Sequence, residues 1–535
     1  MSFPNEPFFR RLIQFANGPP RIIISDDISG VRVTYRDLLS GVLRFRQILL
    51  QSLPPDAVDS NQMIRPNVYI GILAPASVEF TVAFLTILSL GGVITPLSTT
   101  DSPQAICERM TKCNAACVVY SPQQAELMWF TRLRAQVTTG KEVCLVAISA
   151  HPGDVPSNLS FIAEQTTGFL STRTALLLFT SGTTGQPKGV LHSRRFFDVN
   201  TDPVGQEDDA LLFTRVAGYI GSIRLMVIML LRGIRIELWP YLADPNMLWE
   251  RLRQGGITIL HLPPMTWRTL MLVYRDRLSK LPLEEQEEYY AGARQLREAT
   301  AGGQVMLQEV KAFWCDMLEG RCVTVIYGGT EMGISPFKAH GSDSMVERVI
   351  GKPVPGVEFK LSGGDKGELL VKTPALFAGY LDNPEATRKS FDEEGFFRTG
   401  DIVRLNGIIA TLGGMVSAPK IREALIGLPE VKEGYIFGIQ DQTYVNQVAA
   451  LVRLQEGRNH CREQCTFDLA HLRRGLAHLL SEHELPTLLR LVTDGEVIPH
   501  SVSGKLMYGE ARKQFFSMPL KEDATLHGVQ DWLIG

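Results

Sequence analysis

The chain has 535 residues, a formal net charge of −3 and 45% hydrophobic residues, enough for two or more domains with large cores and without a basic face for nucleic acid or an anionic membrane. Eight cysteines are scattered without a Cys-x-x-Cys pair, which predicts reduced thiols in a reducing compartment. No apolar run reaches the ~18 residues of a membrane span, because Gly91, Gly92 and Pro96 interrupt residues 81–97 and Arg224 interrupts residues 219–231. The expected location is cytoplasmic. Glu6 beside Arg10 and Arg11 makes a poor targeting peptide and the final Trp532, Leu533, Ile534 and Gly535 are no peroxisomal signal, although a peroxisomal or mitochondrial address stays compatible with the composition.

In chain order, Thr34 and Asp37 have the spacing of a helix N-cap and its third residue, followed by Leu38, Leu39, Val42, Leu43, Phe45, Ile48 and Leu49 at mostly helical spacing. A strand is expected at 68–73. Ser77 opens a second, apolar helix that Gly91 and Gly92 stop before another short strand. Further β-like runs at 116–120 and 143–148, separated by a helical stretch, predict βαβ units and a mainly parallel sheet. The apolar run 175–180 is a buried strand. Residues 211–213 and 234–238 read as strands flanking a helix that carries Arg224. Residues 257–260 lead through Pro263 and Pro264 into a helix bearing Arg268. A charged surface helix is expected within 280–297. The strand 323–326 delivers Tyr327, Gly328, Gly329, Thr330 and Glu331, and a β-rich subdomain follows Gly351 and ends near Asp401. Beyond it lies a small α/β domain, with helices at 421–428 and 469–480 and strands at 435–439 and 448–454. His460, Cys461, Cys465, His471 and His478 suit no common zinc spacing and read as an amphipathic stretch.

The chemistry concentrates after residue 180. Thr180, Ser181, Gly182, Thr183, Thr184, Gly185, Gln186, Pro187, Lys188 and Gly189 combine glycines that let backbone N–H groups crowd an anion, hydroxyls for phosphate or Mg²⁺, and a lysine charge. A Walker A loop sets its lysine between glycine and Ser or Thr, whereas here Pro187 precedes Lys188 and Gly189 follows it, so kinases and GTPases are excluded. Glu331 offers a hard carboxylate for Mg²⁺ and Tyr327 a face for a purine.

With these motifs the chain resembles the acyl-adenylate-forming superfamily: acyl-CoA synthetases, luciferases and peptide-synthetase adenylation domains. The resemblance runs on through Gly302, Gly303 and Gln304, through Glu368, Leu369 and Leu370, through Gly379 and Tyr380, through Thr399, Gly400 and Asp401, to Ser503, Gly504 and Lys505. It implies an α/β fold: a large multi-subdomain N-terminal domain, residues 1–403, with mainly parallel sheets flanked by helices plus a β-rich subdomain, and a small α+β C-terminal lid domain, residues 404–535. It implies that Thr180 to Gly185 and Lys188 hold the ATP phosphates, that Gly302, Gly303 and Gln304 with Tyr327 and Gly328 hold adenine, and that Asp401 takes the ribose hydroxyls. Thr330 touches the α-phosphate, Glu331 and Thr183 hold Mg²⁺, and Lys505 is the catalytic lysine acting with Thr330 and Glu331. Coenzyme A is placed at Gly413 and Gly414.

Residues 263–303 and the phrase 348–357 look most like malonyl-CoA synthetases, in which an arginine matching Arg268 pairs with the second carboxylate of malonate. Arg215 and Arg224 are weaker candidates for that task. Two features depart from the family. A Gly-Arg-x-x-Asp run and a following lysine are missing between Asp401 and Gly413, which bears on the domain rotation behind thioester formation. Thr214 and Arg215 stand where a histidine is usual. The implied activity is an AMP-forming carboxylic acid–CoA ligase using ATP, Mg²⁺ and coenzyme A on a small-molecule carboxylic acid. The alternatives are an enzyme that loads the pantetheine thiol of a separate carrier protein and a degenerate nucleotide-binding relative.

Overall fold

The computed structural model describes residues 2–26, 30–139, 144–148, 160–164, 168–180, 188–198, 204–240, 244–346, 349–363, 366–404, 408–411, 414–440, 446–455, 467–493, 495–499, 508–516 and 529–531. They form two compact units, 1–362 with 368–401, and 363–367 with 402–535.

The first unit is built on two sheets. In one, β1 (Tyr69–Leu73), β2 (Val93–Leu97), β3 (Cys117–Tyr120), β4 (Leu145–Ala147) and β5 (Thr174–Thr180) run parallel, and β6 (Lys188–Ser193) turns back antiparallel to β5. Helix α1 (Tyr35–Ser52) starts on the expected capping box, with Thr34 Oγ1 accepting from the Asp37 N–H and the Asp37 carboxylate accepting from the Thr34 N–H. Helix α2 (Val78–Ser89), capped by Ser77, is buried all round, as a helix apolar on every face must be.

In the second sheet, β7 (Ala210–Phe213), β8 (Arg235–Leu238), β9 (Ile259–Leu262), β10 (Glu298–Gly302) and β11 (Thr324–Tyr327) are parallel in the order β11-β10-β9-β7-β8, and β12 (Phe337–Ala339) pairs antiparallel with β11. The N-terminal strand Ile22–Asp26 lies parallel beside β8. Both sheets are therefore mixed, parallel at the centre, with antiparallel pairs at one margin of the first and at both margins of the second. Helix α3 (Ile220–Arg232) follows β7, α4 (Pro264–Asp276) follows β9 and α5 (Gln308–Met317) follows β10. Three fully buried tryptophans clamp α4 and α5: Trp267 and Trp314 rings stand 4.7 Å apart and Trp249 and Trp314 rings 5.5 Å apart. Each indole N–H is satisfied, by the Leu270, Thr300 and Trp267 carbonyls. This fixes the helix that carries Arg268.

A short strand, β13 (Gly379–Tyr380), returns to the first sheet and pairs with β6, and β14 (Phe397–Arg404) closes a three-stranded sheet with Glu358–Leu361 and Lys366–Lys372. The second unit contains a four-stranded sheet led by the hairpin of Val431–Gln440 and Asn446–Leu454, with helices Ala418–Ile426 and Leu469–Leu476 on its own apolar core. No helix among the described residues is long and apolar enough to cross a membrane.

One expectation is corrected. Cys315 and Cys322 form a disulfide, because Glu319 and Gly320 both adopt positive φ after α5 and fold the chain back until the two Cα atoms are 4.2 Å apart. Cys113, Cys117 and Cys144 are free thiols.

Candidate active site

The carboxyl end of β5 and the start of β6 face each other as paired residues Thr180 and Lys188, so the two ends of the glycine-rich loop are anchored by one antiparallel ladder. Ser181, Gly182, Thr183, Thr184 and Gly185 lie outside the described residues, as do Gly413 and Lys505. Gly414 opens the strand Gly414–Ser417 of the second unit.

Pairing of β13 with β6 brings Tyr380 against this hairpin. The Lys188 ammonium sits 5.6 Å from the Tyr380 ring centroid, and the Tyr380 hydroxyl donates to the Glu331 carboxylate over 2.9 Å. Burial pushes the Tyr380 phenol up to about 12, with the Glu331 charge acting in the same direction, so the phenol stays a proton donor. Lys188 and Glu331, candidates for phosphate and metal, are thus joined through one aromatic side chain. Tyr380 has no role in the sequence reading beyond its place in a motif; its neighbourhood with Glu331, 49 residues away, is a tertiary fact.

The turn holding Thr330 and Glu331 is tightly packed. Gly333 adopts φ 68°, and a Cβ there would stand 1.9 Å from the Ala375 carbonyl oxygen, so only glycine fits. Beneath it, the fully buried His192 of β6 rests its ring against the backbone of Thr330 and Ala375, and burial pushes its imidazole down to about 4. A neutral imidazole there packs without adding a charge.

At the neighbouring edge of the second sheet, Gly302 ends β10 where a Cβ would stand 2.5 Å from Ile326 Cγ1. Gly303 follows with φ 87° and no atom within 4 Å of its Cβ direction. The chain therefore turns sharply beneath open space, and Gln304 is exposed beside it. The Tyr327 hydroxyl, at the end of β11, donates to the carboxylate of Asp401, which lies 74 residues further along the chain. Burial raises the Tyr327 phenol, and the bond to Asp401 raises it further. Adenine and ribose candidates are brought together.

Three arginines lie further along the same sheet. Arg215, two residues beyond β7, donates Nε to the His261 carbonyl on β9 over 3.1 Å, and burial pushes its guanidinium down to about 10. Arg224 on α3, also pushed down to about 10 by burial, donates to the Phe196 carbonyl and lies over the Phe196 ring. Arg268 is half-buried, and its Nε is a buried donor without a hydrogen-bond partner among the described residues.

These features have counterparts in known proteins. A family profile described as AMP-binding enzyme matches residues 13–381. The acyl-CoA ligase oryP of Aspergillus oryzae is 34% identical, covering 96% of this chain and 93% of that protein. A malonate–CoA ligase of Arabidopsis thaliana is 26% identical, over 95% of this chain and 88% of that protein. Apo MatB from Rhodopseudomonas palustris superposes with a TM-score of 0.58 at 21% identity, covering 95% of this chain and 98% of that one, a likeness of fold.

Proposed function

The chain belongs to the AMP-binding enzyme family and is an AMP-forming acid–CoA ligase, and on that footing we propose that the acid it activates is a small dicarboxylate such as malonate. The observation that carries this reading is the orphaned Arg268 Nε, held by the tryptophan-clamped helix α4 at the carboxyl end of β9. A buried donor without a partner costs free energy that a bidentate carboxylate recovers.

ATP binds with its adenine over Gly302, Gly303 and Gln304 beside Tyr327 and Gly328, its ribose on Asp401, and its phosphates on Thr180, Lys188 and the intervening loop. Thr330 bonds the α-phosphate. Mg²⁺, when bound, screens the phosphate charge that resists attack by a carboxylate. Glu331 fits a magnesium ligand by chemistry: it is a hard oxygen donor whose orientation the Tyr380 hydroxyl fixes, leaving lone pairs free. Lys188 stabilises the departing pyrophosphate, and Lys505 stabilises charge on the α-phosphate as the adenylate forms. The thiol of coenzyme A then displaces AMP.

The test is acid-dependent pyrophosphate release over a panel from acetate to malonate, medium-chain and aryl acids, with the thioester followed by mass spectrometry. A malonate preference that Arg268→Met abolishes relative to propionate supports the reading; an unchanged malonate-to-propionate ratio sinks it. Adenylate without thioester would point to a carrier-protein thiol as acceptor.

A further inference from the structure

Among the half-buried arginines in the described residues of the first unit, Arg215 pairs with no carboxylate and lies over no aromatic ring. Its guanidinium is mostly withdrawn from water, and it makes a single Nε donation to the backbone carbonyl of His261. No ion pair joins it to a carboxylate among the described residues, and burial is the one cause that moves its acidity. Other buried arginines of this unit are matched: Arg251 lies on Glu237, and Arg194 on Glu6. Arg224 is spent on the carbonyl and the ring of Phe196.

The surroundings make the position more positive still. A Cβ at Gly221 would stand 3.2 Å from Arg215 Nη1, so the guanidinium lies against the first turn of the thirteen-residue helix α3, whose free N–H groups carry positive potential. His261 is held neutral, far below its ordinary range, first by burial and then by the charges of Arg215 and Lys338. Lys338 comes from β12, and no carboxylate among the described residues lies within ion-pair distance of Arg215. A withdrawn charge of this kind is stable only when a counter-charge reaches it.

Location supplies the counter-charge. Arg215 stands at the carboxyl edge of β7 and bonds β9, and β9 leads through Pro263 into the helix that carries Arg268. On the other side of β9, β10 ends in the Gly302–Gln304 turn. Arg215 therefore bonds the strand that leads into the helix carrying Arg268, and the neighbouring strand ends in the turn proposed for adenine.

Resting on the ligase reading, we infer that Arg215 is a specificity-determining residue: its guanidinium receives an anionic group at the end of the acid remote from the carboxylate that is activated. Arg215 is thus a second receptor, with Arg268, for the distal carboxylate of a dicarboxylic acid.

The experiment compares kcat/KM for pyrophosphate release with matched acids of equal length, propionate and malonate, butyrate and succinate, hexanoate and adipate, at saturating MgATP and CoA. Wild type should favour the dicarboxylate of at least one pair. Arg215→Met should lower the dicarboxylate-to-monocarboxylate ratio of that pair at least tenfold, and Arg215→Lys should recover part of it. A ratio within twofold of wild type, an equal fall for both acids, or a wild-type preference for the monocarboxylate at every length overturns the inference. If Met at this position unfolds the enzyme, Arg215→Gln reads the same ratio. Wild type that releases no pyrophosphate with any acid would instead overturn the ligase reading itself, and this inference with it.

Discussion

Replacing Tyr380 by Phe removes one oxygen and leaves the ring over which Lys188 lies. The hydroxyl donates to the Glu331 carboxylate over 2.9 Å in a half-buried setting, a hydrogen bond to a charged acceptor. Such bonds are worth about 1.5–3 kcal/mol. If the carboxylate must hold Mg²⁺ in one orientation while the α-phosphate is attacked, that energy enters the barrier, and the rate of adenylate formation should fall roughly 10- to 100-fold. Because the phenol is pushed up to about 12 it donates throughout the range in which the enzyme works, so the defect should be the same at pH 6.5 and pH 8.5. The assay is single-turnover pyrophosphate release at increasing Mg²⁺, which separates weaker metal binding from a slower step. Wild-type rates and an unshifted Mg²⁺ dependence in Tyr380→Phe would refute the reasoning.

Two further outcomes are expected. Burial pushes the His192 imidazole from 6.5 down to about 4, so across that window the unfolded chain binds the extra proton and stability falls as the pH drops. Between pH 7 and pH 4 wild type should lose up to about 3 kcal/mol more than His192→Gln, read by urea unfolding; parallel pH dependences would count against it. Gly302→Ala sets a Cβ 2.5 Å from Ile326 Cγ1, an overpacking that costs about 1–3 kcal/mol, and an unchanged urea midpoint would show that Ile326 moves aside freely.

Local chemistry is readable along the chain because it depends on residues a few positions apart. The capping box of Thr34 and Asp37 and the cap at Ser77 are of this kind, and so is the helix that Pro263 and Pro264 introduce. The positive φ of Gly303 follows from a glycine pair at a strand end. What is not readable is proximity between distant segments. The bond from Tyr380 to Glu331 and that from Tyr327 to Asp401 span 49 and 74 residues and leave no periodic trace. The Cys315–Cys322 disulfide escapes the sequence for another reason: it depends on a positive φ at Glu319, which nothing in a glutamate's chemistry announces. The antiparallel margins of the two sheets are hidden because β-propensity does not encode strand direction.

The pairing of β13 with β6 has a consequence for how the protein is made. Strand β6 leaves the ribosome some 190 residues before Gly379 and Tyr380 do, an interval of roughly ten to forty seconds at usual elongation rates. Through that interval the nascent chain exposes the unpaired edge of β6, an invitation to pair with another chain. Lys188 at its start sets a charge on that edge. On the assignment proposed above, nucleotide affinity draws on Glu331 and Asp401 together and arises once Asp401 has emerged, so ATP should stabilise the finished first unit rather than its synthesis intermediates.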